Sequence, residues 1–153
     1  MHSATNEHST TMGKVYTTIT VANRADQIRA KDGTIPPDAV RSITLENVLV
    51  NPNIIKLCLP ANVIEQLGLE LAREVTIQTE TGTKTARIFQ DVNLKIDDRE
   101  GTFECLELPD ASSASIGTIP LDAMGLKLDN QTLNVLPDNS AETYLTIPHL
   151  TIL

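Results

Sequence analysis

Alternation of period two, carried by β-branched residues, is the feature that most restricts what this chain can fold into. Val15, Thr17, Ile19 and Val21 share one face of an extended run, and Tyr16, Thr18 and Thr20 share the other. Branched side chains pack well on a pleated surface, so this reads as a strand. The pattern returns at Arg41 to Val50, Ile54 to Leu59, Val75 to Thr79, Thr85 to Phe89, Val92 to Ile96 and Thr102 to Leu108. Turn signals separate these runs, at Thr81-Gly82-Thr83 and at Asp97-Asp98-Arg99-Glu100-Gly101. Closely spaced strands joined this way predict an all-β barrel or sandwich. Leu126-Lys127-Leu128 and Thr132 to Leu136, flanking Asp129-Asn130-Gln131, predict a last hairpin. Pro60 opens a short helix with Val63, Ile64 and Leu67 on one face and Gly68 at its C-terminal cap. A second helical turn is expected near the C-terminal part, through Met124. Residues 22–40 read as a loop or loose hairpin, because Lys31-Asp32-Gly33 and Pro36-Pro37 are turn signals.

The 153 residues allow one domain with one core. That domain is expected over residues 12–137, after a disordered polar tail at 1–11 and before a C-terminal extension at 138–153 that could supply an interface strand. Met12 follows the tail and is a candidate start. Trp is absent and aromatics are 3% of the chain. The core must then be Val, Ile and Leu, and base-stacking platforms are not expected. A net charge of -8 without a basic cluster argues against a nucleic-acid partner. No run approaches the roughly 18–20 apolar residues that span a bilayer, and the first residues lack the apolar core of a secretory signal, so a cytoplasmic protein without a membrane partner is expected. Cys58 and Cys105 lie in apolar runs and are expected as buried free thiols. His2, His8 and His149 lie near the termini and form no cluster with them, so neither metal nor cofactor is expected.

The run Val48-Leu49-Val50-Asn51-Pro52-Asn53-Ile54-Ile55-Lys56-Leu57-Cys58-Leu59-Pro60 resembles the active-site segment of the retropepsin-like (clan AA) aspartic proteases of the small bacterial type. In that family an apolar strand leads into Asp-Thr/Ser-Gly, and a strand ending in Leu-x-Leu-Pro precedes a helix. Ile116-Gly117, followed by Ile119-Pro120-Leu121 and Met124-Gly125-Leu126, is similar to the family's second signature. Glu80-Thr81-Gly82-Thr83-Lys84 stands where the family carries a flap. The echo between Leu59-Pro60…Gly68 and Ile119-Pro120…Gly125 fits the approximate twofold of that fold. The resemblance, covering Met12 to about Pro137, implies a retropepsin-like acid-protease barrel, a homodimer, and a peptide groove with Ile54, Thr81, Gly82, Thr83, Ile116 and Gly117 in its wall and flap.

The same resemblance implies that the chemistry is lost. Family members pair one Asp from each subunit, and the pair shares a proton because two carboxylates that close cannot both ionise. Asn51 stands at that position, and its amide does not ionise near neutral pH. Pro52 has neither the interlocking hydroxyl nor a backbone N–H, and Asn53 adds a side chain where Gly permits close approach. Pro52 also removes the N–H that would attack Asn51 in deamidation. Asp91, Asp97, Asp98 and Asp110 fall in expected turns or strand edges and offer no substitute. The expectation is an inactive homodimeric peptide-binding or regulatory module. An active aspartic endopeptidase with the motif altered only in this chain is the first alternative, and an unrelated small β-barrel binding protein is the second.

Overall fold

A computed structural model describes residues 9–11, 14–129 and 132–135. The chain runs β1 (Ser9–Thr11), β2 (Lys14–Asn23), α1 (Arg24–Lys31), a 3-10 turn (Pro37–Ala39), β3 (Ser42–Val50), β4 (Leu57–Pro60), α2 (Ala61–Leu67) and β5 (Glu70–Thr79). It continues with β6 (Gly82–Ile96), β7 (Arg99–Leu108), β8 (Ser115–Ile116), α3 (Thr118–Ala123), β9 (Leu126–Asp129) and β10 (Thr132–Val135). The protein is mostly β. Eight strands form one mixed sheet in the order β1-β2-β3-β8-β4-β7-β6-β5, and β9 with β10 makes a separate hairpin.

The sheet returns on itself because β2 also pairs with β6. The mechanism lies in β6. Its residues 82–90 pair with β5, and from Val92 onward the same edge pairs with β2. The change of neighbour coincides with a register shift against β7 between Phe89 and Val92, where Asp91 adopts φ +64. An inserted residue in left-handed geometry bends and twists a strand, and Asp tolerates that geometry better than most residues. A second shift, between Thr17 and Ile19, faces Asn47 at φ 58. The expected regular barrel is not formed: β8 is two residues long and joins β4 through one antiparallel pairing, Cys58↔Ser115. A ladder that short cannot close a uniform stave, so the sheet stays mixed and irregular.

Branched aliphatic side chains fill the enclosed space, as the lack of aromatics required. Val21, Leu57, Leu59, Leu67, Val92, Leu94, Ile96 and Ile116 are all fully buried. Helix α2 packs Val63, Ile64 and Leu67 inward and ends at Gly68 with φ 64, the left-handed cap read from the sequence.

Four local expectations need correction. Residues 22–40 are not a loose hairpin, because α1 and the 3-10 turn occupy them. Asn23 caps α1 by accepting from the Asp26 N–H, with Arg29 and Lys31 in the last turn complementing the helix dipole. Ser9–Thr11, assigned to the tail, pair with Tyr16–Lys14. The runs Thr85 to Phe89 and Val92 to Ile96 are one bulged strand, and the turn after them narrows to Asp97-Asp98. The run Ile54 to Leu59 becomes a strand only at Leu57, since the preceding carbonyls bond elsewhere, as described below. The assigned tail at 1–8, the extension at 138–153 and Leu136 lie outside the described residues.

The bulge at Asp91 gives a direct test. Asp91→Val forces a β-branched residue into left-handed geometry and should lower the unfolding free energy by about 1–2 kcal/mol. Asp91→Gly, free of that clash, should stay near the parent. Urea unfolding monitored by circular dichroism reads both, and equal stability of the two variants would contradict the bulge.

Candidate functional site

The loop from Asn51 to Lys56 joins β3 to β4, and β8 enters between those same two strands. β8 runs parallel to β3, in the register Leu49↔Ser115 and Val50↔Ile116, and antiparallel to β4. The apolar Val48 and Val50 anchor one side of this crossing and Ile116 the other, all buried.

Backbone hydrogen bonds then bind the loop to the crossing segment. The Leu49 N–H donates to the Ala114 carbonyl at 3.3 Å, and the Asn51 N–H to the Ile116 carbonyl at 2.9 Å. In the other direction Gly117, Thr118 and Ile119 donate to the carbonyls of Lys56, Ile54 and Ile55, at 3.0, 3.0 and 2.9 Å. Those three carbonyls are the ones withheld from a strand ladder, which is why β4 starts late. Satisfying a buried backbone group this way avoids the penalty of leaving it unpaired.

Gly117 is required by proximity. Its φ of -94 suits any residue, but a Cβ there would press on the Ile55 carbonyl carbon and lie 2.6 Å from the Ile55 oxygen and 2.7 Å from the Ile54 oxygen. Those atoms are backbone with no room to yield. Asn51, half-buried, turns its amide oxygen onto the Asn53 N–H at 2.9 Å, closing an Asx turn. Pro52 and Asn53 are exposed, and Ile55 projects outward at 58% exposure.

The structure therefore brings Asn51, Pro52, Asn53 and Ile54 together with Ile116 and Gly117. Thr81, Gly82 and Thr83 occupy the tip of the β5–β6 hairpin, where Thr79 Oγ1 donates to the Gly82 carbonyl at 2.7 Å. That tip is exposed and its described hydrogen bonds are internal to the hairpin.

Chemically, the loop offers amides, carbonyls and apolar contact. None of its residues, 51–56, is a carboxylate, and its one ionisable group, Lys56, pairs with Glu104 at 3.2 Å. Glu104 also meets Arg73 at 2.8 Å, and the Arg73 hydrogen bond, then Lys56, holds its carboxyl below the usual range. Asp91 and Asp110 are exposed, and Asp97 and Asp98 form the β6–β7 turn. Both thiols are free and buried. Burial pushes Cys58 up, against a Ser115 hydrogen bond that lowers it, and burial pushes Cys105 to about 12. A protonated, buried thiol is a poor nucleophile. Among the described residues no three His, Cys, Asp or Glu side chains gather as a metal site, and no helix is long and apolar enough to cross a membrane.

Sequence reasoning missed the outward Ile55 and the carbonyls of Ile55 and Lys56 that the crossing segment uses. A crossing strand of two residues leaves no periodicity to read; the Ile-Gly step was its only signal.

Gly117→Ala should destabilise the protein by about 1–3 kcal/mol, the usual cost of forcing a group into filled space. A thermal melt unchanged from the parent would show that the loop and Gly117 are not in contact. The thiols should react with iodoacetamide at neutral pH only as fast as the protein unfolds, and rapid labelling of folded protein, read by mass, would contradict their burial.

No family model matches the chain, and no curated protein matches it.

Proposed function

We propose that this chain is a catalytically silent protein of the retropepsin-like aspartic protease type, binding peptide as a homodimer without cleaving it. The observation that carries the reading is the Asn51-Pro52-Asn53 turn, clamped against Ile116-Gly117 between β3 and β4. A turn held by backbone bonds between the buried end of β3 and the buried β4 is a support of the kind a catalytic carboxylate needs. The two signatures behind the resemblance meet at that point, although they are far apart in sequence. The support is present and the carboxylate is absent. With Asn51 in its place no general base can activate water, because an amide does not take up a proton near neutral pH.

Binding survives this loss in principle, since peptide affinity comes from main-chain hydrogen bonds and side-chain pockets rather than from the proton-sharing pair. The outward Ile55, the exposed Pro52 and the projecting β5–β6 hairpin are the surfaces available for contact. The Thr81-Gly82-Thr83 tip would act as the covering flap. Two loops meeting across a dimer would complete the groove.

The experiment is a peptide-library cleavage assay from acidic to neutral pH, run beside the combined variant Asn51→Asp, Pro52→Thr and Asn53→Gly. The natural chain should show no turnover. The variant should cleave with an acidic optimum, because its two carboxylates would share a proton. Cleavage by the natural chain that an aspartic-protease inhibitor abolishes would overturn the inactivity. Sedimentation equilibrium should find a dimer, and a strict monomer at high concentration would remove the two-loop groove.

A further inference from the structure

Residues 24–40 leave the sheet between β2 and β3, and across that whole stretch Asp26 is the only buried side chain. Surface helices are normally held by an apolar stripe, and a helix of this length does not persist alone. Helix α1 has no such stripe, for its Ile28 is 51% exposed. What holds the excursion is polar. The Asp26 carboxylate accepts from the Arg41 backbone N–H at 3.1 Å, from Arg41 Nε at 2.8 Å and from Arg41 Nη2 at 3.0 Å. Arg29 Nη1 lies 3.7 Å from the same carboxylate.

The two ends of the excursion meet. The Asn23 N–H donates to the Arg41 carbonyl at 2.9 Å. Both residues also reach the end of α2. Asn23 Nδ2 donates to the Leu67 carbonyl at 2.8 Å and to the Gly68 carbonyl at 3.3 Å, and the Arg41 guanidinium fills the space beside Gly68 where a side chain would otherwise project. These carbonyls have no partner within their own helix, so Asn23 serves as their cap.

We propose that residues 24–40 form a strap that opens as one unit while the sheet stays folded, with Asp26 as its latch and the C-terminal turn of α2 as the structure its hinges steady. Local opening is favoured where few apolar contacts are lost, and this segment loses none that are fully buried. The latch is charged at neutral pH, since the Arg41 hydrogen bond holds the Asp26 carboxyl below its ordinary range against the opposing effect of burial. Opening would slacken Asn23 and Arg41 together. It would thereby loosen the turn that leads from α2 into β5, the first strand of the projecting hairpin.

Native-state hydrogen exchange on the full chain, at rising sub-denaturing guanidinium, tests this. In the natural protein the amides of Asp32, Gly33 and Thr34 should exchange through one shared opening whose denaturant dependence is small but measurable, while those of Leu94 and Ile96 exchange only with global unfolding. Asp26→Ala should speed strap exchange by about tenfold or more, corresponding to about 1.4 kcal/mol, and leave the ratio for Leu94 and Ile96 much smaller. Arg41→Gln, which keeps the backbone donor, should act in the same direction and more weakly, and it decides the matter if Asp26→Ala does not fold. Ile28→Ala should not speed strap exchange. Strap amides that follow the core in the natural protein, or an even acceleration across both regions in the variants, would overturn the proposal.

Discussion

Five backbone hydrogen bonds between residues 114–119 and 49–56 are the constraint on which the rest of the site depends. They let β8 pass between two strands that are successive in the chain, and they tie the turn at Asn51 to the crossing segment. All five donors and acceptors are main-chain groups. The arrangement demands a small residue at Gly117, where the crossing segment passes over the Ile54 and Ile55 carbonyls.

The second constraint is closure. A long hairpin strand, β6, gives one edge to β5 and then to β2, and the bulge at Asp91 makes that exchange possible. Without it the β5–β6 hairpin would continue flat and the core of Val21, Val92, Leu94 and Ile96 would lose its wall. Outside the bulge the hairpin has no fully buried residue before Ile88, so it projects as a two-stranded ribbon. A ribbon of that kind is marginally stable on its own. The irregular edges and the ion pairs Arg73–Glu104 and Arg87–Glu107 on exposed faces add little stability but keep the outer surface charged.

Much of this was legible in the residues, for reasons that can be named. Alternation exposed the strands, and Pro60 with Gly68 framed α2. The Ile116-Gly117 step drew notice through the resemblance, and its close approach to the Ile54 and Ile55 carbonyls emerged only from the structure. Helix α1 was hidden because it has no apolar period: its stability is tertiary, through Asp26 and Arg41, and the turn signals at Gly33 and Pro36-Pro37 pointed to a loop. The Gln90-Asp91 step broke one strand into two apparent ones, since a bulge inverts the alternation that defines a strand. The late start of β4 could not be read either, for Ile54 and Ile55 look like strand residues until the donors from 117–119 are known.

Five main-chain hydrogen bonds hold the Asn51 turn against the crossing segment, and the Asn51 side chain closes it onto the Asn53 N–H. Amide hydrogen exchange at Asn51, Gly117, Thr118 and Ile119 measures this most directly. Protection of all four close to that of the core strands, retained in the variant carrying Asp, Thr and Gly at 51, 52 and 53, is the predicted result. Exchange at the rate of an exposed loop, in either protein, would contradict the account.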